Sequence, residues 1–116
     1  MNLITNLNNS QNNNSFDFSQ FGPILSGRDE GMNALQRLEQ VIASLQENQK
    51  LFLDMSKVKV LNPSFADESL TPLMEKYPGR FFITGRIGLA VQRGLEQVES
   101  QHHFSFPQLA GSSSAG

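Results

Sequence analysis

The side chains that could do chemistry gather in one stretch, Leu53-Asp-Met-Ser-Lys-Val-Lys-Val-Leu-Asn-Pro-Ser-Phe-Ala-Asp-Glu-Ser-Leu70. A short apolar run ends there in Asp54. Side chains just past such a run bond the N–H groups of the turn, so Asp54 and Ser56 read as loop-bracing groups. Ser64 stands at an expected helix start, where unpaired backbone amides point outward. A phosphate on Ser64 would meet those amides and the positive end of the helix dipole. The hydroxyl also reads as an N-cap, with Asp67 and Glu68 as favourable charges in the first turn.

Other candidates carry less. His102 and His103 are adjacent and point oppositely on an extended chain, so they cannot chelate one ion together, and no metal site is expected. A triad of Ser64, His102 and Asp54 lacks a Gly-x-Ser-x-Gly elbow or a recognisable oxyanion loop, so no catalytic residue is assigned. Gly85-Arg-Ile-Gly88 is too short for a phosphate-cradling loop, and no cofactor is expected. Arg80, Arg86 and Arg93 lie in one region of the sequence and read as surface ion pairs.

Composition bounds the setting. The 116 residues fit one compact domain. Nine Lys and Arg against eleven Asp and Glu give a net charge of −2, which argues against nucleic-acid and acidic-membrane partners. There is no Cys, hence no disulfide framework and no thiolate chemistry. Apolar runs fall far short of the roughly 20 residues that span a bilayer. No cationic block followed by apolar residues opens the sequence, so a cytoplasmic location is expected.

The elements that must hold the central stretch follow from periodicity. Ser26 and Asp29 make a capping-box-like start. Met32, Leu35, Leu38, Val41, Ile42 and Leu45 then mark a helix over residues 29–46. Lys50-Leu-Phe-Leu-Asp54 reads as a strand covered on both faces. Ser64 opens a second helix with Ala66, Leu70, Leu73 and Tyr77 inward; Pro72 must kink it, or Thr71 must cap a fresh turn. Arg80-Phe-Phe-Ile-Thr84 is another buried strand, Phe81 and Phe82 both being core. Gly85 turns the chain, and Ile87, Val91, Leu95 and Val98 mark a third helix. Phe16 and Phe18 suggest an opening strand, Phe104 and Phe106 a closing one. About three helices and four to five strands in this order predict an α/β domain with helices packed on a small parallel sheet. Asn fills half of the first fourteen positions. Residues 1–14 read as an Asn-rich arm in which Leu3, Ile4 and Leu7 could pair as a strand. Residues 15–106 form the domain, and residues 107–116 a flexible tail of linker composition.

The central stretch resembles the STAS superfamily, the sulfate transporter and anti-sigma-factor antagonist domains. Its members carry Asp-x-Ser-x-Val after a buried strand and, six residues on, a Ser at the next helix start. Asp54, Ser56, Val58 and Ser64 stand at those positions. Asn62-Pro-Ser-Phe-Ala-Asp-Glu68 also resembles the Ser-Phe-Ala-Asp-Glu signature of a STAS-like family of unknown function. That family's Phe-Gly pair and helix-opening Arg match Phe21-Gly22 and Arg28. The resemblance spans residues 16–100.

The resemblance implies a non-enzymatic regulatory module that binds a protein partner. In the anti-sigma-factor antagonists the Ser matching Ser64 is phosphorylated by a histidine-kinase-like ATPase, which switches the interaction off. Ser64 is thus the phosphorylation candidate and such an ATPase the implied partner. A phosphate adds about −1.5 to −2 charge at the contact. This chain departs from the pattern at Asn62 (an acid elsewhere), Pro63 (a Ser) and Phe65 (a Gly), while Asp67 adds negative charge nearby. The loop is stiffer and bulkier for it. The expected partner surface is Asn62, Pro63, Ser64, Phe65 and Asp67, flanked by Arg28 and the loop after Ile83. A second reading is a small-molecule or nucleotide sensor using a strand-end crevice near Asp54, Ser64 and Gly85. A third is self-association through the Asn-rich arm or the terminal Phe strands, and the oligomeric state stays open.

Overall fold

A computed structural model describes residues 13–109. In chain order it holds β1 (Asn13–Asp17), a 3-10 turn (Phe18–Phe21), β2 (Ile24–Leu25), α1 (Arg28–Ala43), β3 (Lys50–Asp54) and β4 (Val60–Leu61). Then come α2 (Pro63–Lys76), β5 (Phe81–Thr84) and α3 (Leu89–His102). The strands form two parallel sheets, β1-β3-β5 and β2-β4. This is an α/β fold, with β3 central in the larger sheet.

Register places Asn14, Leu51 and Phe81 side by side, then Ser15, Phe52 and Phe82, then Phe16, Leu53 and Ile83. Leu51, Leu53, Phe16, Phe81 and Ile83 are buried. Phe52 and Phe82 are half-buried on the opposite face, meeting edge to face at 5.8 Å and 77°. β3 is therefore not covered equally on both faces, and Phe82, unlike Phe81, is not fully core. The reason is period two: adjacent residues on a strand cannot both point into one core.

The helices follow their apolar stripes with several corrections, one being that the third starts at Leu89 and leaves Ile87 outside it. Gly27 rather than Ser26 caps α1, at φ 93° and without a side-chain bond, so the capping box does not form. Met32 is exposed, while Gly31 and Ala34 face inward beside Leu38 and Ile42. α1 stops at Ala43: Ser44 Oγ bonds the Val41 carbonyl at 2.6 Å, and Arg80 donates to the Gln46 and Gln49 carbonyls at 3.1 and 3.2 Å. α2 runs unbroken across Pro72 to Lys76. Thr71 caps no fresh turn there, its buried Oγ1 having no hydrogen-bond partner.

At the ends the aromatics pack without extending the sheet as expected. β1 stops at Asp17, and Phe18 opens the 3-10 turn, fully buried. Phe106 is buried, but the closing strand reduces to one bridge between Gln108 and Ile83. Ile83 N–H donates to the Pro107 carbonyl at 2.7 Å, and Leu109 N–H to the Ile83 carbonyl at 3.0 Å. Ordered pairing thus continues past residue 106, and Asn13 and Asn14 belong to β1 rather than to an arm. The expected strand of Leu3, Ile4 and Leu7 lies outside the described residues, as do residues 110–116 of the tail.

Candidate functional site: paired helix starts

The small sheet sets up the site. β2 and β4 run parallel, Ile24 beside Val60 and Leu25 beside Leu61, and each feeds directly into a helix. Two helix N-termini therefore emerge together. Asn62 N–H donates to the Leu25 carbonyl at 2.8 Å. Gly27 N–H donates to Ser64 Oγ at 3.3 Å.

Ser64 is not the N-cap of its own helix. Asn62 takes that place without a side-chain bond, and Pro63 is the first helical residue, where its missing N–H costs nothing. Ser64 sits one position later, half-buried, and its hydroxyl serves α1 instead.

Asp67 and Glu68 fall in the second turn of α2, not the first as expected, and tie it to both neighbours. Arg28 lies 2.7 Å from Glu68 Oε2 and 3.7 Å from Asp67 Oδ2. The other Asp67 oxygen is 2.8 Å from His102 Nε2 at the end of α3. The His102 ring stacks on Phe104 at 5.4 Å and 10°. His102 is thus bonded to Asp67, and the pairing was not visible in the sequence because 35 residues separate the two.

Of the expected partner surface, Asn62 is exposed and Pro63, Ser64 and Asp67 are half-buried. Phe65 is not on it. It is 1% exposed, within 6.2 Å of the Phe18 ring and 6.3 Å of Phe21. The bulk at this position fills the core rather than the loop; the signal was the density of Phe at positions 16, 18 and 21.

Asp54, Ser56 and Gly85 pack against one another at the strand end. Asp54 Oδ1 accepts Ser56 N–H at 2.9 Å, and Gly85, at φ 92°, lies flush against both residues. A Cβ there would overlap the Asp54 carboxylate and stand 3.0 Å from Ser56 N. Beside Asp54 in register, Asp17 accepts Ser19 Oγ at 2.7 Å and Ser19 N–H at 2.9 Å, with Lys57 at 3.8 Å. Those bonds, the hydroxyl's first, hold its carboxyl below the usual carboxylate range.

Open space lies on the other side of Asn62, a groove of about 440 Å³ between β4 with Pro63 and one face of α3. Periodicity marked that helix's buried side but not this one. Nor do the arginines share a region. Arg80, just before β5, donates to the Gln46 and Gln49 carbonyls ahead of β3, whereas Arg93 lines the groove. Arg86 and Arg93 make no ion pair among the described residues.

Residues 38–85 match the family described as a STAS-like domain of unknown function (DUF4325). This part of the chain is STAS-like. The STAS-like segment runs from the middle of α1 to the Gly85 turn and includes β3, β4 and all of α2. It therefore carries Asp54, Ser56 and the Asn62–Ser64 helix start, while Gly27, Arg28 and α3 lie outside it. No curated protein and no solved structure matches the chain. No helix among the described residues is long and apolar enough to cross a membrane.

Proposed function

We propose that this STAS-like chain is a non-enzymatic regulatory module that docks a protein partner on its paired helix starts, residues 27–28 and 62–64. The observation that carries the reading is the Gly27 N–H bond to Ser64 Oγ, because one half-exposed hydroxyl joins two outward-facing helix N-termini. A phosphoryl group on that oxygen, delivered by a histidine-kinase-like ATPase partner, would bring about −1.5 to −2 charge to the seam. It would compete with Glu68 for Arg28 and stand near Asp67, so both the local ion pairs and the contact surface would change. A partner that tolerates a hydroxyl would be repelled. Ser64 Oγ accepts from a backbone amide and His102 is held by Asp67, an arrangement that supports recognition rather than nucleophilic attack.

The test uses full-length chains carrying Ser64, Ser64→Ala or Ser64→Asp as bait in lysate of the native host. Expected is one partner retained by the first two and lost by Ser64→Asp, with peptide mass spectrometry finding phosphate on Ser64. Equal recovery by all three, with matching circular dichroism, overturns the gating.

A further inference from the structure

The groove beside Asn62 has a chemistry of its own. Gly94 lets α3 approach β4 so closely that a Cβ there would overlap the Leu61 carbonyl oxygen, which sets the groove floor. Val60, Pro63, Leu89 and Ala90 wall it, and Arg93 reaches its edge. Leu89 is 66% exposed, and Ile24, beside Val60 in register and so on the same face of the small sheet, is 64% exposed. The apolar surface therefore extends past the groove onto both rims. A small ligand seated in the groove would leave Ile24 wet; a polypeptide segment would cover it.

Charge favours one kind of segment. Of the other cations, Arg28, Lys57 and Lys76 pair with carboxylates and Lys50 and Arg80 bond carbonyls, while Arg37, on the exposed face of α1, has no such partner among the described residues. Arg93 has no such partner among the described residues. Neither does Lys59, next to Val60, nor Arg86, three residues before Leu89. The acids of α3 do not answer them. Glu99 accepts Phe106 N–H at 2.7 Å and Glu96 accepts from Gln92 at 3.0 Å, both away from the groove.

We infer that this groove binds a partner segment with an apolar face flanked by acidic side chains. The inference names the partner chemistry for the interaction reading above and rests on it. Apolar contacts with Leu89, Val60 and Ile24 would supply affinity, and Lys59, Arg86 and Arg93 would set orientation and salt dependence.

The experiment titrates the isotope-labelled full chain with two synthetic helical peptides sharing a leucine face, one flanked by Glu and the other by Lys. Expected are amide shifts at Ile24, Asn62, Leu89, Ala90 and Arg93, and binding of the Glu peptide about tenfold tighter than the Lys peptide. Arg93→Glu should reverse the preference, and Leu89→Ser should weaken both. Shifts elsewhere, no shifts, or equal affinities overturn the inference. So does concentration-dependent sedimentation abolished by Leu89→Ser, which would make a second copy the occupant. Failure here leaves loss of the native partner by Ser64→Asp intact, whereas failure of gating leaves the peptide preference intact, so the two are separable.

Discussion

Replacing Ser64 with alanine removes the acceptor for Gly27 N–H and leaves the start of α1 without its one side-chain oxygen. Because the bond is long and exposed, the expected cost is only about 0.5–1 kcal/mol in urea unfolding. The more specific expectation is faster hydrogen exchange at Gly27, which an ordinary N-cap to Ser64's own helix would not produce. Asp17 answers to pH. Its folded carboxyl titrates below the unfolded value because ionised Asp17 accepts two bonds from Ser19. The stabilisation is therefore full above the ordinary carboxylate range and is lost as pH falls through the lower folded value. Asp17→Asn should lower the unfolding midpoint at neutral pH and narrow its gap from wild type in acid, read from urea midpoints across the acid limb. At this scale the sequence shows residue types and local turns. Asp54 to Ser56 spans two residues and was legible; Ser64 to Gly27 spans 37 and was not.

Glycines inside helices make the test for elements. Gly94→Ala should improve intrinsic helix propensity by about 1 kcal/mol and still destabilise the protein, since the added methyl meets the Leu61 carbonyl. The expected net loss is about 1–3 kcal/mol by thermal or chemical unfolding. Gly88→Ala, at the cap of the same helix with open space around it and φ −77°, should be near neutral. Gly31 makes a similar approach, 2.8 Å from its Cβ position to the Phe65 carbonyl, and fixes the spacing of α1 against α2. The three helices and the strands β3 and β5 could be placed from apolar spacing alone. The two-residue strands β2 and β4 could not, because two residues show no periodicity and their pairing joins segments 36 positions apart.

For the whole molecule, Phe65 is the keystone. It belongs to the helix start that carries Ser64, yet its ring sits in the core against Phe18 and Phe21, so Phe65→Ala should cost about 3–5 kcal/mol in global unfolding. A surface residue of the docking loop would cost almost nothing, and a near-neutral result would return Phe65 to that loop. The sequence by itself determined the order of the three helices and of β3 and β5, the parallel α/β class and the STAS-like stretch, because those depend on local spacing and side-chain type. Only the tertiary structure decided that β2 and β4 bring two helix starts together and that Ser64 serves the neighbouring helix. It also decided that His102 reaches Asp67 and that a groove opens between β4 and α3. Each of these is a contact between segments far apart in the chain, fixed by how closely the backbones approach, and no local pattern encodes that distance.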